Sequence, residues 1–166
     1  MQTHHNDKNV IMKKIILLVI FCLFFSYYKV TAGSVQAVNT INDLQKIEMM
    51  NEGDIVIVSG YLKIGDGGGG IFRWNSQKSD YDDGGIIFKS TKSESGRWLR
   101  ILEEQSPINV RWFGVWGDGN HNDYLRIQKA INTARDNHLG IYISKGDYVC
   151  ENSLYIKRDK LVHFRL

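Results

Sequence analysis

Carboxylates are the first candidates for chemistry in this sequence. Asp80, Asp82 and Asp83 stand close together, and carboxylates so grouped can perform acid–base work or hold calcium. Counted as a calcium loop from Asp80, the twelfth position calls for a bidentate Glu and holds Thr91. The polar stretch around them reads instead as a surface loop with solvated turn carboxylates. A denser cluster follows at Asp118, Asn120, Asn122 and Asp123, but its twelfth position is Lys129. Asp123 or Asn122 is better placed to cap a helix, accepting a backbone N–H and complementing the helix dipole.

Other motifs carry less chemistry. Gly65-Asp66-Gly67-Gly68-Gly69-Gly70 satisfies the spacing of a dinucleotide loop. Such a site needs a helix next, whose N-terminus holds the pyrophosphate, and the residues that follow, Ile71–Trp74, alternate as a strand does. The glycines therefore read as a sharp turn, and no cofactor is expected. His121, His138 and His163 are dispersed, with no paired spacing and no cysteine cluster, so no metal site is expected. Cys150, on a strand among apolar neighbours, reads as a buried small hydrophobe. Trp74, Trp98, Trp112, Trp116, Tyr61 and Tyr81 have faces suited to sugar rings. Most belong to a core in so small a module, and Trp116, beside the turn Gly117-Asp118-Gly119, is the candidate glycan contact.

The elements that must position these residues are legible by pattern. Ile41, Leu44, Ile47 and Met50 predict a short helix, with Thr40 or Asn42 as N-cap. Strands are predicted at Ile55–Val58, Ile71–Trp74, Ile86–Phe88 and Arg97–Leu102, separated by glycine turns. Thr40–Leu102 thus reads as a compact, mostly antiparallel β module. The charged stretch Glu103–Ser106 and Pro107, the chain's one proline, mark a hinge. Ile127, Ala130, Ile131 and Ala134 fall at i, i+3, i+4 and i+7, one face of a helix. Strands are expected after it at Ile141–Ile143, Tyr148–Cys150, Leu154–Ile156 and Leu161–Phe164.

The first 32 residues read as a leader rather than as fold. Lys13-Lys14 precede the apolar run Ile15–Phe25 and a polar segment ending Val30-Thr31-Ala32, the layout of a secretory signal peptide cut after Ala32. That run is well short of the roughly 20 residues needed to span a bilayer. The polar Met1–Ile11 is either an extended n-region or lies before a start at Met12. Without the leader the chain holds 17 basic and 17 acidic residues, so nucleic acid is not an expected partner. Cys150 is then the sole thiol, and no internal disulfide is available.

Two stretches resemble a known family. Phe113-Gly114, Gly117-Asp118-Gly119, Asp123, Ile127-Gln128, Ala130-Ile131, Gly146 and Tyr148 resemble the opening motif of the pectate-lyase-like superfamily of right-handed parallel β-helices. That superfamily includes rhamnogalacturonases, polygalacturonases, alginate epimerases and phage tailspikes. Asn122, Tyr124, Arg126 and Ser144 depart from its pattern. Upstream, Gly60-Tyr61, Gly65–Gly70, Phe72, Trp74, Asp83-Gly84-Gly85, Gly96-Arg97-Trp98 and Arg100 are similar to a segment many β-helix proteins carry before that motif. In the family the first motif builds the helix capping the solenoid, so Gly117, Asp118, Gly119 and Asp123 are implied to be structural turn and cap residues.

The resemblance implies a mainly β protein. A small antiparallel β module (33–102) and a linker (103–109) would precede the capping helix and first rung of a truncated right-handed parallel β-helix (110–166). A solenoid rung cannot bury its apolar face alone, and about three repeats are needed for a stable stack. Only residues 141–166 follow the helix, room for one rung. The family's carboxylates sit on later rungs, so no catalytic residue is assigned. The expected function is the N-terminal region of a secreted polysaccharide-active lyase or hydrolase, itself without the active site. The alternative is a non-catalytic glycan-binding, tailspike- or adhesin-like surface module that forms homo-oligomers.

Overall fold

The computed structural model describes residues 12–14, 16 and 34–156. The chain divides into two compact units, Met1–Ala32 and Gly33–Leu166. In the first, Met12, Lys13, Lys14 and Ile16 are helical. No helix among the described residues is long and apolar enough to cross a membrane. The strand expected at Leu161–Phe164 and the lone histidine His163 lie outside the described residues.

The second unit is mainly β. It opens with β1 (Val35–Val38), α1 (Ile41–Gln45), β2 (Ile55–Val58), β3 (Gly70–Asn75), β4 (Ile87–Phe88) and β5 (Arg97–Arg100). The strands form one sheet in the order β1-β2-β3-β5-β4. β2, β3, β5 and β4 pair antiparallel, as the pattern predicts, while β1 joins the edge parallel to β2. β1 escapes a sequence reading because Val-Gln-Ala-Val is short and its partner lies beyond a helix. That helix has a full capping box: Thr40 Oγ1 accepts from Asp43 N, and the Asp43 carboxylate accepts from Thr40 N. It ends earlier than its apolar pattern suggests. The Gln45 carbonyl is claimed at 2.8 Å by the amide of Thr91, and Ile47 and Met50 pack on the core from non-helical backbone.

One face of this sheet is a core. Val56, Val58, Phe72, Trp74, Phe88 and Trp98 point inward with Ile41 and Leu44. Phe72 meets Phe88 edge-on at 5.6 Å, and Trp74 lies 5.1 Å from Trp98. Each such side chain contributes about 1.5–3 kcal/mol by leaving water.

The remainder runs β6 (Ile108–Asn109), a 3-10 helix (Val110–Phe113), β7 (Asp118–Asn122), α2 (Tyr124–Asp136), β8 (Ile141–Tyr142) and β9 (Asp147–Val149). The segment read as a linker therefore ends in a strand. β6 pairs parallel with β8, and β7 parallel with β9 across a register shift. The expected face of α2, Ile127, Ala130, Ile131 and Ala134, is buried against Ile108, Val110, Phe113 and Val115. Ile86, from before the hinge, belongs to this second core. Leu154–Ile156 forms no strand. Beyond α2, Ile141, Tyr142, Ile143, Leu154, Tyr155 and Ile156 are exposed, and a shallow apolar cleft of about 180 Å³ opens between Ile131, Leu139, Ile141 and Ile156.

Candidate functional site

Of the residues picked out by sequence, Trp116 and Asp118 line a cleft of about 450 Å³, whereas Gly117, Gly119 and Asp123 stand outside its lining. One wall is the glycine-rich loop, with Leu62, Lys63, Asp66 and Gly67; the other is Asn109, Arg111, Val115, Trp116, Asp118 and Ser144. Each wall is held by a charged side chain that satisfies loop backbone.

Asp66 organises the first wall. Its carboxylate accepts from the amides of Tyr61 (2.8 Å), Leu62 (2.7 Å), Lys63 (3.0 Å) and Gly68 (2.9 Å). Partial burial pushes the carboxyl up, but those amides together outweigh it and hold it below the usual aspartate range. Arg100 closes the loop from behind, donating to the carbonyls of Gly68 (2.9 Å), Gly69 (2.5 Å) and Gly85 (2.9 Å). Its guanidinium is stacked between Phe72 and Trp112, 4.5 and 4.8 Å from their ring centres. Burial lowers its pKa to about 9, so it stays charged at neutral pH.

Arg111 organises the second wall. It donates to the carbonyls of Val115 (3.2 Å), Trp116 and Lys145 (3.1 Å), and to Ser144 Oγ (3.1 Å). The serine at 144, a departure from the family pattern, thus supplies an acceptor that proline lacks. Gly117 and Gly119 have φ of +55° and +75°, the left-handed region that favours glycine. Between them Asp118 accepts from the amides of Asn120 (3.0 Å) and His121 (3.1 Å), which lower its pKa to about 2. The turn read at Gly117-Asp118-Gly119 runs into the irregular strand β7, because Asp118 and Asn122 find partners in β9.

Asp123 sits at the N-cap position of α2, but its side chain makes no capping hydrogen bond. It is fully buried and turns back to accept from the amides of Trp116 (2.7 Å) and Gly117 (2.8 Å). The expected side-chain cap by Asp123 is corrected accordingly: the carboxylate fixes the turn, and Asn122 Oδ1 accepts from the first helical amide, Tyr124 N, at 3.0 Å.

Trp116, the candidate glycan contact, lines the cleft half-exposed. The His121 ring stacks on it at 4.2 Å and 15°, and is tied in turn to Asp118 at 2.8 Å. Trp74 and Trp98 are core, whereas Tyr81 is exposed. Cys150 is exposed rather than buried, although its neighbours Tyr148 and Val149 are partly buried. Asp82 and Asp83 accept loop amides, from Gly84 and Lys89 and from Gly85, Ile86 and Ile87 respectively. Among the described residues no group of three or more His, Cys, Asp or Glu could hold a metal ion.

Chemically, the cleft offers binding groups. Lys63 and Asp118 supply charge, Trp116 an aromatic surface, and Asn109 and Ser144 polar atoms. A general acid at neutral pH needs a carboxyl raised towards that pH. Every resolved carboxyl shift among the described residues is downward: Glu52, Asp54, Asp66, Asp80, Glu94 and Asp118. The sequence reading missed Asp66, Arg100 and Arg111 as organisers, although the first two stand inside motifs it quoted.

Comparison with known proteins agrees with this architecture. Residues 37–103 match the family model described as a phage tail protein small four-stranded beta-sheet domain. Residues 107–162 match the model for rhamnogalacturonase A/epimerase, pectate lyase-like. One similar solved structure is the tailspike gp49 of Acinetobacter baumannii bacteriophage Fri1, a capsular polysaccharide depolymerase. It is 21% identical with a TM-score of 0.59, over 68% of this chain and 20% of that one. Another is Pantoea stewartii WceF, a glycan biofilm modifying enzyme with a tailspike-like parallel β-helix fold. It is 22% identical with a TM-score of 0.54, over 63% of this chain and 15% of that one. No curated protein matches the sequence. Residues 107–162 are thus similar to the pectate-lyase-like family, and the chain spans a fifth or less of the length of these two structures.

Proposed function

We propose that this chain is the N-terminal region of a secreted, polysaccharide-directed β-helix protein of the tailspike kind. In this reading the small sheet leads into α2, which plugs the mouth of the solenoid, and β6 to β9 begin its first rung. The observation that carries it is the order of the two family matches, sheet segment then β-helix opening, on one chain. The exposed apolar residues at Ile141–Ile143 and Leu154–Ile156 support it, because a first rung leaves its far side for the next to cover. The relatives act on capsular polysaccharide and biofilm glycan, and we extend only the substrate class, polysaccharide, to this chain.

The described residues bind and position rather than catalyse. The cleft at Trp116 contacts glycan through the part of the indole that His121 leaves open, with Lys63 and Asp118 beside it. Glycan-array binding by the purified chain tests this. Binding is expected to weaken at least tenfold in Trp116→Ala, with no release of reducing ends or unsaturated sugars. Turnover of any polysaccharide, or an array with no signal, overturns it.

Residues 1–32 serve as a leader removed after Ala32, and the exported protein self-associates. Mass spectrometry of the chain secreted by a bacterial host should show Gly33 as the first residue. Retention of the apolar run Ile15–Phe25 in the exported protein would refute the leader.

A further inference from the structure

A second cleft adjoins the one at Trp116. It too measures about 450 Å³, within the roughly 300–1,000 Å³ usual for small-molecule sites. The two meet at Leu62, which lines both; Tyr61 lines only the second and Lys63 only the first. The ridge between them is held from both sides. The Asp66 carboxylate accepts the amides of Tyr61, Leu62 and Lys63, and Ile41 N donates to the Tyr61 carbonyl at 3.2 Å. The Tyr61 ring is fixed as well: it lies 6.2 Å from the Phe88 ring, and a Cβ on Gly114 would stand 2.5 Å from it.

The opposite wall is polar. Thr40 and Asp43 belong to it but are committed to each other in the capping box, and Gln45 Nε2 donates to Asp82 at 3.3 Å. Asn39 and Asn42 are exposed, and among the described residues neither carboxamide has a hydrogen-bond partner. A carboxamide offers an acceptor oxygen and two N–H donors, the complement of neighbouring hydroxyls that each donate and accept. No lysine or arginine lines this cleft, and its one carboxylate is Asp43. Neutral hydroxyls therefore suit it and an anion does not.

We propose that this cleft is a second glycan subsite, taking a neutral, polyhydroxylated sugar unit of the same molecule that lies against Trp116. The inference deepens the carbohydrate reading above and rests on it. Asn39 and Asn42 hold adjacent hydroxyls, Tyr61 supplies aromatic surface, and the glycan crosses from one cleft to the other over Leu62. Ridge and ring are fixed before the ligand arrives, so binding does not have to order them. One molecule that fills two adjoining subsites gains affinity as linked modules do. The consequence is selection by length: a glycan too short to cross Leu62 gains nothing from Asn39 and Asn42.

The test is binding of the full chain to a printed array of neutral and uronate-containing glycans, from disaccharides to octasaccharides. Asn39→Asp/Asn42→Asp and Trp116→Ala are run beside the wild type. The aspartates keep the side-chain shape, remove the donors and suit the start of α1, so the fold is retained, which circular dichroism checks. The wild type should hold neutral octasaccharides at least about tenfold more tightly than disaccharides of the same sugar. The asparagine variant should lose that gain and keep its disaccharide binding, whereas Trp116→Ala should weaken both. A measurement on the wild type alone is nuclear magnetic resonance of the side-chain amides. The signals of Asn39 and Asn42 should shift with the octasaccharide that binds best on the array and stay in place with its disaccharide. An octasaccharide advantage that is absent, or that survives in the asparagine variant, overturns the second subsite and leaves the Trp116 reading standing. A folded asparagine variant that loses short and long glycans alike overturns the division into two subsites. An array with no signal overturns both readings.

Discussion

Loop carbonyls and amides are satisfied here by a few charged side chains. Asp54, Asp66, Asp83 and Asp123 gather amides, while Arg97, Arg100 and Arg111 gather carbonyls. Hydrogen bonds to charged groups contribute about 1.5–3 kcal/mol each, net of the bonds to water they replace. The carboxyls of Asp54 and Asp66 are pushed up by burial, but their backbone amides outweigh that and hold both below the usual range. Their folded pKa values therefore lie below the unfolded value of about 3.9, and the unfolded chain binds more protons as pH drops past it. Their stabilisation is fully present above about pH 4 and is lost as pH falls through the lowered folded values. Asp66→Asn should lower stability by about 2 kcal/mol at pH 7 and flatten the loss of Tm between pH 5 and 2. Thermal melts across that range are the check, and an unchanged acid slope would count against Asp66 as the fastener. Little of this was legible in the sequence. Asp66 stands inside a recognisable glycine motif, but its four donors converge only once the loop has folded. Asp123 was rightly placed at the start of α2, yet the sequence could not say that its carboxylate would look backwards.

At the scale of elements, pattern succeeds where one face is buried by local periodicity. The i, i+3, i+4, i+7 face of α2 and the alternation of β2 and β3 needed no partner to be read. Elements defined by a distant partner were missed. β6 is two residues long and exists because Ile108 pairs with Ile141. β7 reads Asp-Gly-Asn-His-Asn, a composition that argues for a turn, and is strand only through β9. The glycines also mark contacts between elements. A Cβ on Gly85 would lie 2.2 Å from the Phe113 ring, so the loop before β4 meets the 3-10 helix at van der Waals limit. Gly85→Ala should cost about 1–3 kcal/mol, as overpacking of a close-packed interior does. Chemical denaturation measures it, and a neutral result would mean that Phe113 has room to move.

The whole of Gly33–Leu166 is one compact unit with two cores, and Arg100 with Ile86 ties them together. The Arg100 guanidinium touches Phe72 of the first core and Trp112 at the border of the second. Lysine cannot donate to three carbonyls in one plane while stacked between two rings. Arg100→Lys should destabilise by about 1.5–3 kcal/mol for each of the charged hydrogen bonds that lysine cannot replace. It should also separate the unfolding curves followed by tryptophan fluorescence and by far-UV circular dichroism, which are expected to coincide in the wild type. Superimposable curves in the variant would show that the cores communicate by another route.

The same stacked guanidinium has a consequence for the growing polypeptide. When synthesis has reached Leu102, every strand of the small sheet has been made, yet one of the two rings that flank Arg100 has not. Until Trp112 leaves the ribosome, one side of that cation has no aromatic cover. The nascent sheet is therefore complete in hydrogen bonds before it is complete in packing. Its final tightening waits on the first residues of the second core, which orders the two cores in time as well as in space.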